Sequence, residues 1–177
     1  MESTFQILIR RAIQADARFL MLVHRDAVFS KAAGYYDEAT LESWSPGATP
    51  ERVARMERTI CDPKKIVLVA EHQGQILGFA VAIPDENEIG ALYVKPNNIG
   101  NVGRALLFEI EKLVFAAGAL FIEFDASLNA ESFYKANGYM EVGRADHVSG
   151  RGDVSAAVQM KKIRSADRQV EHAISKN

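Results

Sequence analysis

Cysteine is almost missing from this chain: Cys61 is the only one in 177 residues. A single thiol closes no internal disulfide, and no metal-ligand spacing surrounds it, so a disulfide scaffold and a cysteine-based metal site are both excluded. No metal is expected. Its flanks offer no base to activate it as a nucleophile, so it reads as a bystander at a helix end. An excess of one charge is missing too. The 21 basic and 23 acidic residues leave a net charge of −2 and form no block of like sign. The chain therefore lacks the electrostatic footprint that binds phosphate backbones or anionic lipid, and neither nucleic acid nor a membrane is expected as a partner. No apolar run approaches the roughly 20 residues that span a bilayer. The start, Met1-Glu2-Ser3-Thr4-Phe5-Gln6, has no basic region ahead of an apolar one, so the expected location is cytoplasmic. Internal repeats and low-complexity segments are absent as well.

What is present is core material. Hydrophobic residues make up 48% of the chain, enough at this length for one domain, expected over 1–163 with a polar tail over 164–177. Phe5 to Ala12 leans towards a strand. Asp16 stands where a helix cap belongs, ahead of Phe19, Leu20, Val23 and Ala27 at helical spacing. Tyr35 to Trp44 reads as a short helix stopped by Pro46-Gly47, and Thr49-Pro50-Glu51 opens another that runs to about Ile60. The texture then changes. Ile66 to Ala70 and Ile76 to Ile83 flank the turn His72-Gln73-Gly74-Gln75 as a β-hairpin, and Ile89 to Val94 extends it to a meander that Pro96 ends. Gly103 to Ala117 keeps one apolar helical face, with Gly118 placed for a left-handed stop. After it come a strand Leu120 to Phe124, a short helix Ala130 to Ala136 capped by Asn129 and stopped by Asn137-Gly138, and a last hairpin, Tyr139 to Ala145 with Val154 to Met160.

One step in this order is chemically pointed. The strand Leu92-Tyr93-Val94 runs through Asn97-Asn98-Ile99-Gly100-Asn101-Val102-Gly103 straight into a helix. Consecutive backbone N–H groups and the positive end of the helix dipole then face one spot, which suits a pyrophosphate. Asparagine fits this loop because it enters the left-handed region more readily than most residues.

Val94-x-Pro96 followed by Asn98-Ile99-Gly100-Asn101-Val102-Gly103-Arg104-Ala105-Leu106-Leu107 resembles the acetyl-CoA motif of GNAT acetyltransferases. That motif is usually Arg or Gln, two residues, Gly, one residue, then Gly or Ala; here Asn98 replaces the Arg or Gln and Asn101 the first Gly. A second stretch, Asp125 to Tyr139 with Asn129-Ala130, Phe133-Tyr134 and Gly138-Tyr139, is similar to the family's later segment. A helix containing Tyr35-Tyr36 and ending in Trp44 resembles one GNAT subgroup. The resemblance spans roughly residues 5 to 162. It implies an α+β, three-layer fold of the acyl-CoA N-acyltransferase type, with a mixed, mostly antiparallel sheet of about six to seven strands flanked by helices.

It also implies roles. Acetyl-CoA is the expected cosubstrate and a primary amine the acceptor. Attack on a thioester creates an oxyanion, which the backbone N–H of Val94 would receive where two strands splay apart. Tyr134 holds the position of the acid that protonates the departing thiolate, whose pKa is about 8.5 against about 10 for tyrosine. Tyr93, Asn98, Ile99, Gly100, Asn101, Val102, Gly103, Arg104 and Ala105 match the cofactor cradle, and Asn129 a residue on the coenzyme arm. An amine arrives protonated, so a base is needed, and Glu88 is the candidate, with His24 and His147 in reserve. Tyr35, Tyr36, Trp44 and His24 are expected at the acceptor. Relatives commonly pair, so a homodimer is among the expectations. Two other readings fit parts of the same sequence. One is an acetyl-CoA-binding sensor without turnover. The other is a dinucleotide site, since a strand, glycines, a helix and a strand ending in Asp125 imitate half of a Rossmann fingerprint.

Overall fold

Hydrogen-bonding partners explain where the first elements begin. A computed structural model describes residues 6–96, 101–148 and 154–164. Strand β1, Leu8–Arg11, leads through a short turn into helix α1, Ala17–Lys31. Asp16 does not cap that helix. Its carboxylate reaches back to the Ile13 N–H at 2.8 Å and to Arg10 at 2.7 Å, because an arginine on β1 and a free amide lie closer than the first turn of α1. Phe19 likewise leaves the core, 57% exposed, while Ala17, Leu20, Val23, Ala27 and Val28 face inward. Helix α2, Glu38–Trp44, has a cap the sequence reading passed over: Asp37 accepts from Thr40 N–H at 2.7 Å. Helix α3, Pro50–Cys61, starts as expected, with Thr49 accepting from Arg52 N–H and proline in the first turn; Cys61 is its exposed last residue.

The meander follows as β2, Ile66–His72, β3, Gln75–Ile83, and β4, Glu88–Val94. Gln73 and Gly74 both take positive φ, 49° and 78°, as a tight hairpin with right-handed twist demands. Helix α4, Val102–Ala116, ends at Gly118 with φ 107°, and α5, Glu131–Ala136, ends at Gly138 with φ 89°. Asn129 is not the cap of α5. The chain makes a short 3-10 turn over Leu128–Ala130 first, so Ala130 takes the boundary and makes no side-chain cap. Strand β5, Phe121–Ser127, and the hairpin β6, Met140–Val148, with β7, Val154–Ile163, complete the chain. Residues 165–177 of the expected tail lie outside the described residues.

The seven strands form two ladders: a four-stranded one, ordered β1-β2-β3-β4, and a three-stranded one, ordered β5-β7-β6. All pairs in both are antiparallel. The parallel, doubly wound sheet that a dinucleotide site needs is therefore not what this chain builds. Helix α4 seals one face of the first ladder with Leu106, Leu107, Ile110 and Val114. Helices α1 and α3 seal the other with Leu20, Met21 and Val23 against Val67, Val69 and Phe79. At nearly 25 cal/mol per Å² of apolar surface removed from water, two such interfaces give the sheet a buried middle layer. What matters for function is the seam. Strands β4 and β5 start side by side, with Glu123 N–H donating to Asn87 O at 3.0 Å, but no ladder joins them further along.

Candidate active site

The register of β4 decides which way its amides point. Tyr93 stands opposite Phe79, and Lys95 N–H donates to Leu77 O at 2.8 Å. In an antiparallel pair alternate residues bond to the same neighbour. Val94, opposite Gly78, therefore turns its N–H away from β3 and into the seam with β5. Gly78 is needed for this approach: a Cβ there would lie 2.8 Å from Tyr93 O and 3.2 Å from a Val94 methyl.

Two cavities meet at that seam. One, of about 140 Å³, lies between α2 and the strands and includes Tyr36, Trp44, Leu92, Asp125 and Tyr134 in its walls. The other, of about 400 Å³, lies between the end of α1 and the start of α4 and includes Lys31, Asn101, Gly103, Arg104, Asn129 and Tyr134. Leu92, Tyr93, Trp44, Ser127, Ala130 and Tyr134 belong to both. A third cavity, of about 320 Å³, borders the first on the α3 side and shares Trp44, Gly90, Ala91 and Tyr93 with it.

The larger cavity has the features of an anion cradle. Val102, Gly103 and Arg104 bring the first, unbonded amides of α4 to its wall. Ala105 does not line it, and its N–H is already taken, donating to Asn101 O at 2.9 Å as the first bond of the helix. Asn101 sits at φ −90°, so the loop enters the helix without the left-handed turn the sequence suggested at this residue. Asn98, Ile99 and Gly100 lie outside the described residues. Gly103 matters for shape, since a Cβ there would touch the Phe133 ring and Val94 at 3.5 Å. Asn129 supplies an independent sign of a ligand: its buried amide oxygen has no hydrogen-bond partner among the described residues. A coenzyme with a pyrophosphate and an amide-bearing arm fits this donor and acceptor set.

Tyr134 is 6% exposed, edge-on to Phe124 and Tyr139 with centroids 4.7 and 5.5 Å away. Burial raises its hydroxyl well above the ordinary tyrosine range, and Tyr93 and Glu111 add to the effect. The group thus keeps its proton at any physiological pH. Tyr93 is pushed up to about 12 by burial, while the Trp44 hydrogen bond and the Arg52 charge pull the other way. Tyr36 is a clamp as well as a wall. Its hydroxyl donates to Ala156 O and accepts from Leu128 N–H, both at 2.9 Å, tying the segment that leads into α2 to β7 and to the turn after β5.

Other expected residues fall elsewhere. Tyr35 is 58% exposed and lines none of these cavities; of the two neighbouring tyrosines ahead of α2, it is Tyr36 that turns inward. His24 is buried, with its Nδ1 2.6 Å from Ser45 Oγ and 3.3 Å from Arg52, and its ring 4.2 Å from that of Tyr93. Burial, then Arg52, lowers its pKa to about 3, so it is a neutral acceptor and not a base at physiological pH. It lines the third cavity only. His147 pairs with Ser155 in the β6–β7 ladder. Glu88 does not itself line the first cavity, but its Oε1 lies 3.6 Å from where a Gly90 side chain would begin, and Gly90 does. Asp125 was missed as a site residue. It is the one carboxylate in the wall of the first cavity, and alternation along a half-buried strand could have placed it on the open side. Among the described residues no group of three or more His, Cys, Asp or Glu side chains comes together for a metal, and no helix is long and apolar enough to cross a membrane.

The comparisons with known proteins agree with this geometry. Residues 32–163 match the acetyltransferase (GNAT) domain. The fold superimposes on a GCN5-related N-acetyltransferase from Rhodopseudomonas palustris with a TM-score of 0.80 at 28% identity, covering 93% of this chain and 100% of that one. The PaiA N-acetyltransferase of Thermoplasma acidophilum, solved in complex with coenzyme A, gives 0.69 at 25% identity, covering 90% and 99%. The ribosomal-protein-alanine N-acetyltransferase of Brucella melitensis gives 0.64 at 26%, covering 89% and 99%. No curated protein sequence matches. A profile match over most of the chain, on a fold whose strands part beside the start of α4, identifies the family: this chain belongs to the GNAT acetyltransferases.

Proposed function

We propose that the protein is an acetyl-CoA-dependent N-acetyltransferase that acts on a primary amine of a small acceptor by direct transfer in a ternary complex. The observation that carries this reading is the meeting of two cavities at one seam, with the Val94 N–H turned into it and Tyr134 in both walls. Acetyl-CoA, when bound, supplies the acetyl group as a thioester. Arg104, Lys31 and the first amides of α4 hold the pyrophosphate, and the Asn129 amide oxygen accepts from the coenzyme arm. Val94 N–H donates to the carbonyl oxygen as negative charge builds on it.

Tyr134 stabilises the departing sulfur. A hydroxyl held this far above pKa 10 acts first as a hydrogen-bond donor, and it releases its proton only as charge accumulates on the acceptor atom. Glu88 at the rim, and Asp125 in the wall of the smaller cavity, are the carboxylates near enough to draw a protonated amine and take its proton, directly or through water. Trp44 and Tyr36 shape the acceptor side, where the small volume supports a small amine over a folded protein segment.

Thermal unfolding with added acetyl-CoA and, separately, NAD is the direct test. A ligand at 100 times its Kd adds about 2.7 kcal/mol to the folded state. Stabilisation by acetyl-CoA, followed by amine-dependent thiol release, is expected. Stabilisation by NAD alone would sink the proposal.

A further inference from the structure

The two halves of the acceptor region carry opposite charge. The smaller cavity contains Asp125 and neither lysine nor arginine in its wall. The third cavity, which borders it across Trp44, Gly90, Ala91 and Tyr93, contains Arg52 and Arg55 and neither Asp nor Glu in its wall. Both arginines come from the first turns of α3, one helical turn apart in direction and adjacent on its inner side. Ser43 and Thr59 add hydroxyl groups to the same wall.

Arg52 is held in place. Its guanidinium donates to Gly47 O at 2.9 Å, to Ser45 Oγ at 3.4 Å and to His24 Nδ1 at 3.3 Å. These three acceptors fix the direction of the fork. The positive field reaches inward far enough to help lower His24 and Tyr93. Arg55 is exposed and makes no ion pair among the described residues. A fixed guanidinium and an exposed one beside hydroxyl groups, with no carboxylate in the wall, supply the elements of a receptor for an anion.

We infer that the acceptor is an amine that carries an anionic group, a carboxylate or a phosphate, whose amine enters the smaller cavity by Asp125 while its anion is held by Arg52 and Arg55. This rests on the acetyltransferase reading and narrows it: diamines and polyamines are poor acceptors, because a second ammonium would face two arginines. Arg52 and Arg55 are then specificity-determining residues, acting on binding and not on the acyl transfer itself.

The test uses the full chain, with thiol release from acetyl-CoA as the readout. The acceptors are ω-amino acids from β-alanine to aminohexanoate, with the matching primary amides, aminoalkylphosphonates and diamines. The expected result is a kcat/KM for carboxylates or phosphonates at least about tenfold above that for amides, and higher still above diamines. Whichever anion leads identifies its chemistry. Arg55→Gln should cut the anion-to-amide ratio by at least about tenfold, through KM. Arg58→Gln, on the same helix but in none of these cavities, should leave the ratio where it is. Equilibrium binding of the same compounds to the protein saturated with coenzyme A, read by calorimetry, gives the same comparison without turnover. Equal rates and equal binding across the four classes, or a ratio indifferent to Arg55→Gln, overturn the inference while leaving the acetyltransferase standing. Failure of acetyl-CoA to bind at all removes the acetyltransferase reading, and this one with it.

Discussion

The two sides of the cleft are built on different principles. On the α4 side the working parts are backbone amides, one glycine that keeps the cradle open and one amide oxygen without a partner among the described residues, set on the largest buried cluster those residues form. On the α1–α3 side they are side chains, rings and guanidinium groups, held by one another over a smaller core. Backbone geometry needs particular residues at particular spacings, whereas a side-chain wall can be assembled from many combinations. The first kind of site constrains the sequence and the second does not.

The difference can be broken from the acceptor side by pH. His24 has a folded pKa of about 3 against an ordinary value of 6.5, so the unfolded chain binds the proton first. Its contribution is intact above pH 6.5 and is lost progressively as pH falls from there towards 3, with a total on the order of 4 kcal/mol. Urea unfolding between pH 7 and 4 should show this loss, and His24→Gln should flatten the slope in that window. A slope unaltered by His24→Gln would mean the imidazole is not held neutral by its surroundings.

At the junction of the two sides, Tyr134→Phe should lower kcat by about 10²-fold or more, equivalent to about 2.7 kcal/mol, with acetyl-CoA affinity nearly unchanged. Stopped thiol-release assays beside direct binding separate these quantities. A variant with full turnover would leave Tyr134 as core packing between Phe124 and Tyr139. The smallest effect is expected on the cofactor side. Gly103→Ala meets only ordinary contacts at 3.5 Å and gains helix propensity, so stability should hold or rise by up to about 1 kcal/mol. The added methyl narrows the cradle, and acetyl-CoA affinity should fall several-fold by calorimetry. Loss of stability without loss of affinity would make Gly103 a packing residue only.

Legibility followed the same division. The meander, the turn at Gln73-Gly74, the stops at Gly118 and Gly138 and the start of α4 were all readable, because each is a local demand of the backbone. The seam between β4 and β5 was readable only through the resemblance, since nothing local says that two neighbouring strands will fail to pair. Asp16 and Asn129 were misread as caps because a cap is a choice between competing partners: Arg10 won the first, and a 3-10 turn displaced the second. Tyr35 was misplaced, and His24 wrongly held in reserve as a base, for a related reason. Which aromatic of a pair turns inward, and whether an imidazole is dry, depend on residues far away in sequence. The Arg52–Arg55 pair left no signal at all in a chain whose charges nearly cancel.

The double bond of the Tyr36 hydroxyl, to Ala156 O and from Leu128 N–H, sets a population as well as a position. Moving α2 away from the strands breaks both at once. At about 1 kcal/mol net for each, these two bonds alone hold the parted form to no more than a few per cent of molecules, and the burial of Leu41 and the Trp44–Tyr93 contact lower it further. An acceptor that must enter through that form binds more weakly by the same fraction, and one that enters past α3 does not.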